Sequence, residues 1–387
     1  MTFDTSPGPA SGSASGSKFG SAPVQLRESG DAAPALWAVE AWRGVAALMV
    51  VCAHWAPALG GHNLFTAFAF TGVDVFFVIS GFVFAPHVLG WQPLPLAPYA
   101  VRRLLRIYPA YLAALGLYMG WKALQGQPLL YGLEHLLMLH VQSREMAFYY
   151  SPPFWSLPAE VAFYALVPLL AALSLKATAK GWAVPVWSAL GATALLARLG
   201  FAWQADEATQ NLPYLLVHHL PGLLVEFLVG VWAWRCVARP AAPGRPRAGK
   251  AAWLPWVVLG AAMYTGALLA YNALETTAGH RWIHGQWSLV AAAGFALVLV
   301  GTAQLQPPNA WVRAAGTWAG RLSYGVYLLH PLWAVALAAA AAAWGAAAGF
   351  AMAAVGLLAS AWALHRVVEE PARRWGRRVA AGLAQRA

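Results

Sequence analysis

Ten apolar stretches of membrane-spanning length follow one another along this 387-residue chain, at about residues 36–57, 64–86, 107–124, 154–175, 181–203, 215–238, 252–272, 286–303, 321–344 and 347–367. Backbone groups cannot stay unpaired in hydrocarbon, so runs this long and this close together commit the chain to helices packed side by side. The expected fold is an all-α polytopic membrane protein of about ten transmembrane helices. With 60% apolar and 10% charged residues and a mean hydropathy of +0.55, a water-soluble globule is excluded. Many of the 21 tryptophans fall near the ends of the runs, where indole rings anchor at the membrane interface.

Basic residues orient these helices. Numbered from a cytoplasmic N-terminus, the inside segments hold twenty Lys and Arg, against four, Lys122, Arg144, Arg198 and Arg281, at outside ends and loops. That bias predicts both termini in the cytoplasm. The net charge of +11 is accounted for by contact with membrane lipid and calls for no nucleic-acid partner. Residues 1–35 are rich in Gly, Ser, Ala and Pro and lack a basic region feeding a short apolar core, so they read as a disordered cytoplasmic tail and not a signal peptide. Residues 36–378 read as one membrane domain with no internal repeat, crossed by a basic, Pro-rich cytoplasmic linker at 239–251, and 379–387 as a short cytoplasmic tail. Within the longest outer segment, 125–153, the stretch Tyr131–His140 is too short to span and is expected as an interfacial or re-entrant helix. Cys52 and Cys236 fall near opposite ends of their helices, which excludes a disulfide framework.

Polar interruptions of the apolar runs carry the chemistry. In Glu40-Ala-Trp-Arg43-Gly44-Val-Ala-Ala-Leu-Met-Val-Val-Cys-Ala-His54, Arg43 and His54 share one helix face, about 16 Å apart. A charged arginine in a bilayer is costly unless it lines a cavity or finds a partner, which marks the pair as a candidate site. Glu40 explains Arg43 by simple neutralisation but leaves His54 unexplained. In this topology Glu160, following Phe154-Trp155-Ser156-Leu157-Pro158, shares a depth with His54, and a histidine oriented by a carboxylate is what a general base needs. The competing reading has Glu160 capping a helix start and His54 facing interfacial water. Asp74, near mid-membrane, must be protonated or paired, with Arg43 the expected partner. Ser80 and Gly81 admit a neighbouring backbone or a slender ligand.

Arg102, Arg103 and Arg106 sit at the cytoplasmic mouth of the third helix, and Arg102 and Arg106, one turn apart, converge on one anion: a phosphorylated ligand or anionic lipid. Ser323, Tyr324, Tyr327 and His330 form a polar stripe that must face the bundle or a cavity. Weaker candidates are Glu226, His218, His219 and Glu369-Glu370-Pro371. No metal-ligand spacing, Gly-rich phosphate loop or nucleophile elbow occurs, so no metal and no permanently bound cofactor is expected.

Five blocks, in order, resemble the bacterial integral-membrane acyltransferase type 3 family, which includes O-acetylases of O-antigen and other surface polysaccharides. They are Glu40-Ala-Trp-Arg43-Gly44 with His54; Gly72-Val-Asp-Val-Phe-Phe-Val-Ile-Ser-Gly81; Arg102-Arg103-Leu-Leu-Arg106-Ile-Tyr-Pro109; Trp155-Ser-Leu-Pro-Ala-Glu160-Val-Ala-Phe-Tyr164; and Leu322-Ser-Tyr-Gly-Val-Tyr-Leu-Leu-His330-Pro331. The resemblance covers about residues 36–378. It implies a ten-helix fold with cytoplasmic termini, His54 as base with Arg43, Glu160 and Asp74 in the catalytic set, and Arg102, Arg103, Arg106 and Ser80 toward acyl-coenzyme A, the donor substrate. Glu369 and Pro371 match the family's closing Glu-x-Pro. Ahead of Glu226-Phe227, where many relatives carry an arginine, this chain has His219 and Pro221.

The implied activity is O-acylation at the bacterial inner membrane, most simply O-acetylation, delivering the acyl group to a hydroxyl of a cell-surface glycan or glycolipid during lipopolysaccharide or exopolysaccharide biosynthesis. The membrane domain or a separate periplasmic transferase would complete the transfer. Acylation of a small molecule or lipid is the nearest alternative. A transporter or exporter with a polar lumen is the alternative from a different class, and it predicts broken helices in two repeated halves.

Overall fold

The computed structural model describes residues 37–206, 208–238, 253–274, 280–303 and 305–385, with side chains in 280–303 described from Gln286 onward. The expected tail at 1–35 and linker at 239–251 lie outside the described residues. Among the described residues eleven long helices follow in order: α1 Trp37–Trp55, α2 Gly72–Val88, α3 Leu96–Leu124, α4 Ser156–Ala179, α5 Ala183–Gln204, α6 Leu220–Val237, α7 Leu254–Leu274, α8 His280–Thr302, α9 Ala310–Trp344, α10 Ala346–Leu364 and α11 Glu370–Ala384. Among the described residues, eight helical segments are long and apolar enough to cross a membrane. The other two expected spans are helical as well. Residues 107–124 form the second part of α3, whose first part carries Arg102, Arg103 and Arg106, and 286–303 matches the shorter apolar stretch Gln286–Thr302 of α8. The expected tail at 379–387 is helical as far as Ala384, and a π-helical turn, His365–Glu369, joins α10 to α11.

Small residues set which helices touch. α1 packs along α9, where a side chain on Gly44 would collide with Ala319 and one on Gly320 with Glu40. α2 packs along α6 through Gly81 and Gly230, each pressed on a backbone carbonyl of the other helix, that of Phe227 and that of Val78. Gly81 therefore admits a helix backbone and leaves no room there for a ligand.

Two interior prolines leave carbonyls that side chains satisfy. Pro168 in α4 removes the donor for Tyr164, and the Tyr99 hydroxyl donates to that carbonyl at 2.8 Å. Pro331 in α9 likewise frees the Tyr327 carbonyl, to which the His330 ring donates from Nδ1 at 2.9 Å.

The segment 125–153 folds into the bundle through the short helices Gly132–Leu136 and Arg144–Phe148 and the 3-10 turn Pro152–Trp155. His135, His140 and Phe154 are fully buried. Tyr111 donates to the His135 carbonyl at 2.8 Å, and Tyr327 to that of Pro153 at 2.8 Å. α4 thus begins level with Tyr327, one turn before His330 along α9.

Candidate active site

α1 carries two polar centres, one toward each end. At its Trp55 end, His54 lines a cavity of about 300 Å³ together with Asp74, Trp155, Arg198, Ser288 and Tyr327. The His54 ring donates from Nδ1 to the Val50 carbonyl at 2.9 Å, because a carbonyl can only accept. In the neutral ring Nε2 is then the unprotonated nitrogen. His330 stands behind His54 with ring centroids 4.9 Å apart, and Trp55 donates to the His330 carbonyl at 3.0 Å, fastening the end of α1 to α9. Tyr327 shares a hydrogen bond of 2.7 Å with Ser156, so its hydroxyl is fixed at the cavity wall.

On the far side of the cavity three ionisable side chains meet, all of them buried. Arg198 of α5 is 4% exposed and Glu226 of α6 fully buried, with Nη2 and Oε1 3.9 Å apart. Arg198 also donates to the Val217 carbonyl at 3.0 Å and to Ser288 at 3.3 Å. The Asp74 carboxyl, also buried, lies against both Arg198 and Glu226. One guanidinium balances one carboxylate, so the buried trio is neutral only with a proton on the second carboxyl, which lies against the first. Asp74 is thus partnered by Arg198, and Arg43, expected from sequence, lies elsewhere. Arg198 also supplies a cation against Glu226, where the stretch ahead of Glu226 on the sixth helix has His219 and Pro221 and no arginine.

The second centre lies toward the Trp37 end of α1. Arg43 is 3.6 Å from Glu40 with its side chain 19% exposed, and it lies within charge range of Arg106 of α3, Arg373 of α11 and Glu160 of α4. Glu160 accepts from the Ser80 hydroxyl at 3.1 Å and from Tyr164. Arg103 lies over the Phe84 ring at 4.9 Å and the Tyr164 ring at 5.9 Å. Tyr324 donates to the Ile107 carbonyl at 3.0 Å, and Glu369 pairs with His365 at 3.3 Å in the π turn. Arg102, Arg106 and Arg373 are each half-buried, so solvent reaches this centre. An arginine cluster only partly balanced by carboxylates and open to water can hold a polyanion.

The structure therefore divides the sequence-derived candidates. His54, Asp74, Tyr327 and His330 gather at the cavity, and Arg43, Ser80, Arg103, Arg106, Glu160, Tyr324 and Glu369 at the other centre. Ser323 donates to the Gly320 carbonyl of its own helix at 2.8 Å and belongs to packing. Glu160 and His54, matched in depth by the sequence reading, are not partners, because Glu160 is held by Ser80 and Tyr164 at the Arg43 centre. Sequence reading missed Arg198 and Arg373. Each had been counted as a loop or end charge. An arginine inside the apolar run 181–203 was the available signal for Arg198, the same signal that singled out Arg43.

Residues 36–366 match the family model Acyl_transf_3, described as an acyltransferase domain. Over 311 residues, 76% of this chain and 71% of the relative, the sequence is 27% identical to a Komagataeibacter xylinus protein named "Putative membrane-bound transacylase BcsY". The family match stops just before Glu369. No solved structure matches.

Proposed function

The chain belongs to this acyltransferase family and is a multi-pass membrane acyltransferase, and from that premise we propose that it moves an acyl group, acetyl in the simplest case, from acyl-coenzyme A to a hydroxyl of a cell-surface glycan or glycolipid. The observation that carries the reading is the pairing of centres on one face of α1: a partly buried arginine cluster around Arg43 and, about 16 Å along, a histidine with a bare nitrogen on a cavity. The relative's name, a membrane-bound transacylase, supports the same class of reaction.

In this proposal both termini face the cytoplasm of the inner membrane, so Arg43, Arg103, Arg106 and Arg373 receive the donor's phosphates where thioesters of coenzyme A are made. The flexible pantetheine arm then carries the thioester along α1 toward His54. The acceptor hydroxyl enters the cavity beside Asp74, Trp155 and Arg198. As its oxygen attacks the thioester carbonyl, its proton passes to His54 Nε2. The C–S bond breaks, and the departing thiolate takes the proton from His54 to leave as coenzyme A thiol. Trp155 offers an apolar face for a sugar ring, and Asp74 a carboxylate for its neighbouring hydroxyls.

Purified protein in lipid nanodiscs, supplied with radiolabelled acetyl-coenzyme A and an extract of cell-surface glycans, tests the reading. Label is expected in the glycan or released by hydrolysis, and to vanish in His54→Ala while donor binding persists. Equal label with wild type and His54→Ala, or no donor binding to either, would overturn it.

A further inference from the structure

We infer that His330 is a positioning residue that shares the proton taken up by His54, so that the two histidines form one proton-holding unit behind the cavity. The kinetic part of this inference rests on the acyl-transfer reading. The geometric part does not.

The order His330-Pro331 fixes which nitrogen of His330 is bare. Pro331 has no N–H, so the Tyr327 carbonyl loses its helical donor, and His330 Nδ1 supplies one at 2.9 Å, with the Val326 carbonyl at 3.3 Å. Carbonyls only accept, so Nδ1 carries the ring's single proton and Nε2 is a lone pair. That Nε2 is buried and has no hydrogen-bond partner among the described residues. His54 arrives at the same tautomer by a different bond, donating from Nδ1 to Val50. Two neutral rings with bare Nε2 atoms thus lie side by side, centroids 4.9 Å apart and planes 54° apart. The two Nε2 atoms are not hydrogen-bonded to each other in the resting pair, and a centroid separation of 4.9 Å leaves room for a nitrogen–nitrogen bond of about 2.9 Å once a ring turns with the proton on it.

Two acceptors have nothing to share until a proton arrives, and it can arrive only through His54. His54 lines the cavity, whereas His330 is fully buried and is not among the residues lining it. Once the attacking hydroxyl has given its proton to His54, the new Nε2–H turns to the bare nitrogen of His330, which stabilises the imidazolium until the thiolate reclaims the proton. A carboxylate commonly has this role beside a catalytic histidine. Here Glu160 is held by Ser80 and Tyr164 instead. The other titratable groups facing His54 are His62 from the segment after α1, Asp74 from α2, Arg198 from α5, His218 from the segment before α6 and Tyr327 from α9. Asp74 favours the imidazolium, and Arg198 and any protonated His62 or His218 oppose it.

Two substitutions separate proton sharing from packing. Asn at position 330 keeps an N–H where Nδ1 donates to Tyr327 but has no acceptor where Nε2 sits. Gln places its amide oxygen near the Nε2 position but does not titrate. In nanodiscs, ¹⁵N-histidine spectra should show His54 protonating at lower pH in His330→Asn than in wild type, with His330→Gln close to wild type. In the transfer assay, His330→Asn should lower kcat about tenfold, leave KM for acetyl-coenzyme A unchanged and move the acid limb of kcat/KM to lower pH. A structural role alone predicts that His330→Asn behaves as wild type in both measurements, and that result overturns the inference. If His54 titration shifts as expected but no protein turns over acetyl-coenzyme A, the histidine pair stands and the acyl-transfer reading falls. If transfer proceeds with an unshifted titration, the pair falls alone. Pro331→Ala returns an N–H to Tyr327 and should loosen the fixed tautomer of His330 in the same spectra, a check that needs no change at position 330.

Discussion

Toward one end of α1, Arg43 stands with Arg106 and Arg373 among the carboxylates of Glu40 and Glu160, partly exposed and many-charged. Toward the other, His54 meets a fully buried histidine across 4.9 Å, and the charges nearby are confined to a buried trio. The difference follows from what water can reach. Several like charges are tolerable where solvent screens them, and such a surface suits a charged ligand that comes and goes. Where burial excludes most water charge must be matched, and neutral imidazoles can hold a proton briefly without a permanent ion in the bilayer. One centre is therefore expected to govern donor affinity and the other the rate of transfer.

The sharpest break of that division is His54→Ala. Turnover of acetyl-coenzyme A should fall by about 10³-fold or more, while equilibrium binding of the donor is unchanged. Loss of donor binding in this variant would merge the two centres into one.

Next in size is Arg198→Ala, which strands Asp74 and Glu226 together without a cation. Removing one partner of a buried ion pair costs about 3–5 kcal/mol, so this variant should melt well below wild type in detergent. Adding Asp74→Asn and Glu226→Gln should restore most of the melting temperature, because the stranded charge is then gone. A melting temperature that stays low in the triple variant would mean that Arg198 matters for packing and not for charge.

A smaller effect is expected at the opposite end of the helix. Arg106→Ala removes one guanidinium from a cluster, a loss of about 1.5–3 kcal/mol in binding a charged group. Donor Kd should rise by roughly 10- to 100-fold with kcat little changed. A fall in kcat at unchanged affinity would place Arg106 in the chemistry.

How much of this was readable from the chain depends on the kind of information involved. Arg43, His54 and the stripe Tyr324-Tyr327-His330 announced themselves because a polar side chain in hydrocarbon needs a reason. Which residue meets which did not. Depth along the membrane normal made His54 and Glu160 look like partners, yet depth says nothing about position around the bundle, and Glu160 is held by Ser80 and Tyr164. Arg198 and Arg373 were hidden by the charge count that orients membrane helices, which treats every arginine near a helix end as facing water. The close approach of α2 and α6 was foreshadowed by Gly81, but only the fold names Phe227 as what fills the space.

The smallest expected effect contrasts His54–His330 with a second histidine pair. His135 and His140 lie with ring centroids 4.0 Å apart in the inward-folded segment, beside Tyr150 and Phe154. Burial, with the neighbouring His140 second, pushes His135 down to about 3, and burial also lowers His140. Above the ordinary histidine range both folded and unfolded chains leave these rings neutral, and pH has no grip on them. Between about 6.5 and about 3 the unfolded chain binds protons that the folded chain refuses, so stability falls as the solution is made more acid. Wild type should therefore lose melting temperature between pH 7 and pH 5. His135→Phe, which keeps an aromatic ring against Tyr150 and Phe154, should lose less, with the remainder left to His140. Equal losses in the two proteins would show that His135 takes up its proton in the folded state, and the contrast with His54–His330 would then lie in the cavity beside His54 alone.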